Sequence, residues 1–147
     1  MIKKIIFLGF VFLICSVTGF GYGAPGVYTP SDTKEYFISA QTLRSLQQAY
    51  NGKNLEGFME LTSLSGDEKQ RIKNSLVSAF TMQEGRQLEF YVIEHSQFFN
   101  RVTVLAEWDI RSTEIKNKIY KSGKTKFNFK VKEFSAKLVS IKGESPF

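Results

Sequence analysis

Few residues in this chain could carry chemistry. Asp109 and Glu107 stand two apart, His95 is the single histidine, and Cys15 is the single cysteine. A proton-transfer reaction needs a carboxylate or an imidazole in an apolar surround that holds its pKa near the working pH. Asp109, set in a long apolar strand, is the carboxylate that an enzyme would use; His95, beside Glu94, is the imidazole. Register speaks against Asp109. Trp108 shares its parity with Val102, Val104, Ala106 and Ile110, whereas Asp109 shares the opposite one with Thr103 and Glu107, a solvent-facing pattern. His95 lacks the second histidine or the cysteine set that a metal would need, and no G-x-S-x-G elbow supplies a serine nucleophile. The glycines from Gly19 to Gly26 open no strand–helix unit, so no phosphate loop is present. No catalytic residue, metal ligand or cofactor is assigned, and Asp109 and His95 stand as weak candidates.

Aromatic residues and lysines carry more signal. Tyr36, Tyr50, Phe58, Phe90, Trp108 and Phe127 fall on apolar stripes and are the candidates to line a pocket for a small apolar ligand. Phe98 and Phe99 are adjacent, so a regular strand cannot bury both against one core; they are partner-contact candidates at a hairpin tip or pocket rim. From Lys116 to Lys142 nine lysines accompany one carboxylate, Glu133. Lys126, Lys130 and Lys132 lie opposite the Phe127/Phe129 parity and form a basic face for an anionic partner, whether lipid headgroups, acidic wall polymer or acidic protein. Nucleic acid is excluded as partner, because the cationic face has no arginine enrichment and no interleaved aromatic rings for stacking.

The elements that must position these residues follow from periodicity. Asp32 with Glu35 reads as a capping box for a helix carrying Tyr36, Ala40, Leu43, Leu46 and Tyr50 and ending at Asn51-Gly52, with glycine in the left-handed position. Asn54 caps a short helix with Leu55, Phe58, Met59 and Leu61. Ser65 with Glu68 caps a third helix with Ile72, Leu76, Ala79 and Phe80, ended by Gly85. From Arg86 the period becomes 2. Strands are expected over Leu88–Ile93 with a break at Ser96–Asn100, over Val102–Ile110, over Glu114–Tyr120 with a hairpin turn at Lys121-Ser122-Gly123, over Thr125–Val131, and over Ala136–Ile141. Three helices followed by a strand meander make an α+β fold, with N-terminal helices packed on a curved, mostly antiparallel sheet of four to six strands. At 147 residues, 42% of them hydrophobic and 23% charged, the chain is neither disordered nor low-complexity, and one domain is the default.

Residues 1–23 differ from the rest. Lys3 and Lys4 precede the uncharged apolar run Ile5–Val17, and small residues Gly19, Gly21 and Gly23 follow, which is the layout of a secretory signal peptide cut after Gly21 or Gly23. The alternative is an uncleaved anchor over residues 5–23. Ile14 before Cys15 argues against a lipidated cysteine. The chain is therefore expected outside the cytoplasm, periplasmic or secreted, or held at the inner membrane by residues 5–23. Residues 24–31 form an extended lead-in, and 32–147 the domain. Cleavage removes the only cysteine, which suits an oxidising compartment.

Two stretches carry a family resemblance: Gln48-Ala49-Tyr50-Asn51-Gly52-Lys53-Asn54-Leu55-Glu56-Gly57-Phe58, and Phe127 to Phe147 with its I-x-G-x-x-P-F ending. Together they resemble the NTF2-like superfamily, the SnoaL-like, cystatin-like α+β cone, as an exported bacterial-type member of no specific subfamily. The resemblance implies an apolar pocket at the open end of a curved sheet that is catalytic, ligand-binding or filled, and homodimers through the sheet. The expectation is an exported non-catalytic module that binds a small apolar ligand or a protein partner in the periplasm or cell envelope. Two alternatives stand beside it. One is a cofactor-free isomerase or dehydratase that uses a pocket carboxylate. The other is a homodimer or envelope-complex subunit docking through the lysine-rich face, with membrane contact only through that face or an uncleaved N-terminus.

Overall fold

The computed structural model describes residues 33–81, 85–112 and 119–147. The leader, the Asp32 cap and residues 114–118 of the strand expected over Glu114–Tyr120 lie outside the described residues. Helix α1 spans Lys34–Asn51, α2 Leu55–Glu60 and α3 Gly66–Thr81; strands follow as β1 Arg86–Phe98, β2 Arg101–Ser112, β3 Ile119–Lys132 and β4 Ser135–Gly143. The four strands form one antiparallel sheet in the order β1-β2-β3-β4.

Local chemistry explains the helix ends. Thr33 caps α1, its Oγ1 accepting the Tyr36 N–H at 3.2 Å and donating to Gln97 Oε1 at 2.7 Å. At the other end Gly52 keeps a negative φ of −82°, and the left-handed residue is Lys53 at φ 53°. The expected glycine cap therefore shifts by one residue. Asn54 caps α2 by accepting the Gly57 N–H at 2.9 Å. Glu68 closes no capping box; its Oε1 accepts the Ile141 N–H at 3.1 Å and ties α3 to β4.

One sheet face is apolar and covered by helices. Val102, Val104, Ala106, Trp108 and Ile110 of β2 and Phe127, Phe129 and Val131 of β3 are buried against Leu43, Leu46, Phe58, Ile72 and Leu76. Helix α1 also satisfies the free backbone of edge strand β1. Asn51 donates to Leu88 O at 3.0 Å and accepts Leu88 N–H at 2.7 Å, and Gln47 Oε1 accepts Phe90 N–H at 3.3 Å. At the opposite edge, the segment after α2 pairs with Leu138 of β4 through Ser63 N–H to Leu138 O and Leu138 N–H to Leu61 O. Both edges are thereby blunted against further strand pairing.

Two strand expectations need correction. Strand β1 does not break at Ser96; it runs to Phe98, and the turn is Phe99-Asn100. A bulge at Ile93 inverts the parity beyond it, so that His95 pairs with Val104 and Gln97 with Val102 on the helix side. Lys121-Ser122-Gly123 is no hairpin turn, because β3 runs straight through it and Gly123 pairs with Trp108. A Cβ on Gly123 would stand 2.7 Å from Trp108 Cζ2 and 2.6 Å from Glu144 Oε2. Glycine is required there so that the indole can lie against the strand.

Candidate functional site

The inner end of the cone is built from five elements. Tyr50 closes α1, Phe58 comes from α2, Phe90 from β1 and Phe127 from β3, and all four rings surround Phe147 of the C-terminal tail. Centroid distances from Phe147 are 4.8 Å to Phe58, 6.1 Å to Tyr50, 6.2 Å to Phe90 and 6.3 Å to Phe127. Phe147 is only 6% exposed. Four of the six expected ligand residues thus enclose a ring, and the ring belongs to the chain itself. Burial pushes the Tyr50 hydroxyl pKa up, and the charge of Arg86 pulls it partly back.

A latch holds that tail in place. Trp108 Nε1 donates to Glu144 O at 2.8 Å, and the Thr125 hydroxyl donates to the same carbonyl. Glu144 N–H bonds Lys124 O at 3.1 Å, and the Glu144 carboxylate accepts Lys124 N–H at 3.2 Å. Trp108 therefore anchors the tail at Glu144. Tyr36 is elsewhere again: it stacks on His95 at 3.8 Å and 17°, at the end of the sheet where α1 begins. The six aromatic candidates divide among three places.

Neither candidate for proton transfer stands among the rings around Phe147. His95 lies on the helix side of the sheet, but at the far end, against Tyr36. Asp109 lies on the outer sheet face, 18% exposed at its side chain, bonded to Arg111 at 2.7 Å. Arg111 also reaches Tyr91 Oη at 3.2 Å and Glu89 at 3.7 Å, and the Tyr91 hydroxyl donates to Glu89. That bond to Glu89, with burial and the nearby carboxylate adding to it, raises the Tyr91 pKa; the bond to Asp109 raises that of Arg111. Glu107 pairs with Lys124 at 2.7 Å. Among the described residues, no group of three His, Cys, Asp or Glu side chains could hold a metal ion, and no helix is long and apolar enough to cross a membrane.

The partner-contact residues lie in two zones. Phe98 and Phe99 form an exposed pair, edge to face at 4.5 Å, on the β1–β2 turn. Lys126, Lys130 and Lys132 project from the outer face of β3, and registers set Lys126 beside Leu105 and Lys142, Lys130 between Arg101 and Lys137, and Lys132 opposite Ser135.

No protein-family model matches the chain, and no curated protein matches it in sequence. Solved structures match its fold. Aln2 from a Streptomyces species aligns with a TM-score of 0.66 at 10% identity, over 80% of this chain and 94% of that one. An NTF-2 like protein of unknown function from Shewanella oneidensis aligns with a TM-score of 0.61 at 12% identity, over 74% and 97%. A cystatin-like protein of unknown function from Nostoc punctiforme gives 0.60 at 10% identity, over 76% and 92%. Identities this low show the fold alone, and that fold is the NTF2-like α+β cone.

Phe147 is the site residue that the sequence pattern did not single out as core. Its signal was the Pro146-Phe147 pair after Gly143, an apolar ending on a tail that local periodicity treats as a loop.

Proposed function

We propose that this chain is a non-catalytic NTF2-like binding module that acts outside the cytoplasm and engages a protein through the outer face of its sheet. The observation that carries this reading is the charge partition of that face. On β1 and β2 the carboxylates Glu89, Glu94, Glu107 and Asp109 outnumber Arg101 and Arg111, whereas Lys124, Lys126, Lys130 and Lys137 stand on β3 and β4. Glu94, Leu105 and Lys126 form one cross-strand row, acid and base on either side of an apolar residue. Such a face is self-complementary under a two-fold axis, so a second copy fits it and so does any protein of matching pattern. The catalytic alternative loses support because Asp109 and Glu107 are ion-paired on that same face. The compartment rests on Lys3, Lys4 and the apolar run Ile5–Val17; a chain beginning at Tyr22 or Ala24 in the exported protein, read by N-terminal mass, supports cleavage, and one beginning at Met1 supports the anchor.

Light scattering on the purified chain tests the face. Lys126→Glu and Glu94→Lys should each weaken assembly with a second copy, or with the partner retained from the native compartment, and the double reversal should restore assembly with a second copy. Unchanged assembly in both single variants refutes the reading.

A second reading is favoured by one observation: Phe147 occupies, ring among rings, the space a small apolar ligand would take. In that reading the tail is a displaceable occupant, and a ligand binds only as Phe147 leaves. Competition between the tail and an added aromatic probe, followed through Tyr50 and Phe147 resonances, tests it; a probe that binds without moving Phe147 overturns it.

A further inference from the structure

The end of the sheet where α1 begins is unlike the rest of the surface. Three segments meet there: the first turn of α1, the β1–β2 turn and the β3–β4 turn, with Val131 N–H bonded to Asn100 O at 2.7 Å. Four phenyl rings stand out from them: Phe37 (60% exposed), Phe98 (57%), Phe99 (80%) and Phe134 (81%). Phe99 and Glu133, the first residues of the two turns, have φ 52° and 56°. Glycine or asparagine would hold such a left-handed position at less cost than phenylalanine, so a conformational penalty is borne in order to present the Phe99 ring to solvent.

Cations border these rings. Arg101, Lys130 and Lys137 stand directly opposite one another across β2, β3 and β4, and Arg101 is also the register partner of Phe98. Like charges in direct cross-strand register are destabilising, and although Lys137 donates to Glu60 O, an anion beside Arg101 and Lys130 would relieve the rest of the row. Lys34 places its ammonium 3.9 Å above the Phe134 ring, and Lys132 follows beside the turn. Among the described residues Glu35 and Glu133 are the carboxylates at this end, fewer than the cations.

We propose that this end of the molecule docks on an anionic lipid bilayer, with Phe98, Phe99 and Phe134 entering the boundary between headgroups and acyl chains and Arg101, Lys130 and Lys34 meeting lipid phosphates. Exposed aromatic rings beside cations are the side-chain set that binds such an interface. The direction of the chain agrees. Residues 1–32, with the apolar run Ile5–Val17, join the domain at Thr33, which lies at this end and is bonded to Gln97. This contact adjoins the protein-binding face proposed above and shares Lys130 and Lys137 with it; quenching by lipid reads this contact, and assembly reads that face.

The test uses the full chain with Phe99→Trp, reconstituted into vesicles of equimolar phosphatidylcholine and phosphatidylglycerol with brominated acyl chains. Trp108 is buried and supplies a constant background. Val77→Trp on α3 is the control label, three residues from Phe80, which packs on Tyr50 at the other end of α1. The introduced indole at position 99 should be quenched about threefold more than the control, and adding Arg101→Glu with Lys130→Glu, or using phosphatidylcholine alone, should remove most of that difference. Phe134→Trp repeats the measurement if Phe99→Trp does not fold, as judged by its unfolding midpoint. Equal quenching of the two labels overturns the proposal, since residues 5–17 would then hold the chain with the rings free. A blue-shifted label at position 99 in lipid-free solution, together with a dimeric mass, also overturns it, because the rings would be covered by a second copy.

Discussion

Truncating Phe147 to alanine should cost the domain about 2–4 kcal/mol, in line with other buried Phe→Ala changes of about 3–5 kcal/mol. The ring is 6% exposed and touches four aromatic neighbours. A buried phenylalanine removes about 150–250 Å² from water, which at about 25 cal/mol per Å² is roughly 4–6 kcal/mol. Releasing the last residues of the tail returns about 1–2 kcal/mol of backbone entropy for each one freed. Fraying should stop at Glu144, because Trp108 and Thr125 hold its carbonyl. Urea unfolding followed through Trp108 fluorescence measures the loss; with a slope of about 2 kcal/mol per molar, the midpoint falls by about 1–2 M. The vacated space is lined by Tyr50, Phe58, Phe90 and Phe127, and an apolar cavity of this kind binds benzene-sized molecules. Benzene should therefore raise the thermal midpoint of Phe147→Ala by more than that of the parent chain, where the ring must first leave. A loss below about 1 kcal/mol would refute the reasoning, since a ring seated in the core cannot be removed so cheaply.

Gly123→Ala forces a Cβ to 2.7 Å from the indole and should cost about 1–3 kcal/mol, with a changed near-ultraviolet signal from Trp108; an unperturbed spectrum would mean that β3 shifts freely there. Asn51→Ala leaves both backbone groups of Leu88 without their partner and should cost about 1–3 kcal/mol in chemical unfolding, with faster amide exchange along β1. Tyr50 and Tyr91 titrate above the ordinary value of 10.0, so the folded chain holds protons that the unfolded chain has lost at high pH. Their contribution to stability is complete below pH 10 and falls away as pH rises through the raised values, a trend readable by absorbance titration with and without denaturant.

Much of the framework was legible in order. The stripe Leu43, Leu46 and Tyr50 and the alternation Val102, Val104, Ala106, Trp108 and Ile110 each bury one face of a regular element, and a single face is what a local period reports. The candidate site was legible in part: Tyr50, Phe58, Phe90 and Phe127 were identified as apolar and aromatic, but not that they would meet one another around Phe147. The face that His95 takes is not legible locally for a different reason. One extra residue at Ile93 reverses the parity of everything after it in β1, and a bulge is a property of the pairing with β2. Lys121-Ser122-Gly123 carries the composition of a turn, but continuous pairing with β2 keeps it extended.

By itself the sequence determined the element types, the covered faces and the charge run of the last strands, because these follow from side-chain period and composition within a few residues. Only the tertiary structure decided what fills the cone, why Gly123 faces Trp108, and which cations align across strands. Those depend on contacts between residues far apart in the chain: Phe147 lies near Phe58 and Phe90, and Arg101 near Lys130 and Lys137, only because four strands and three helices close around one core.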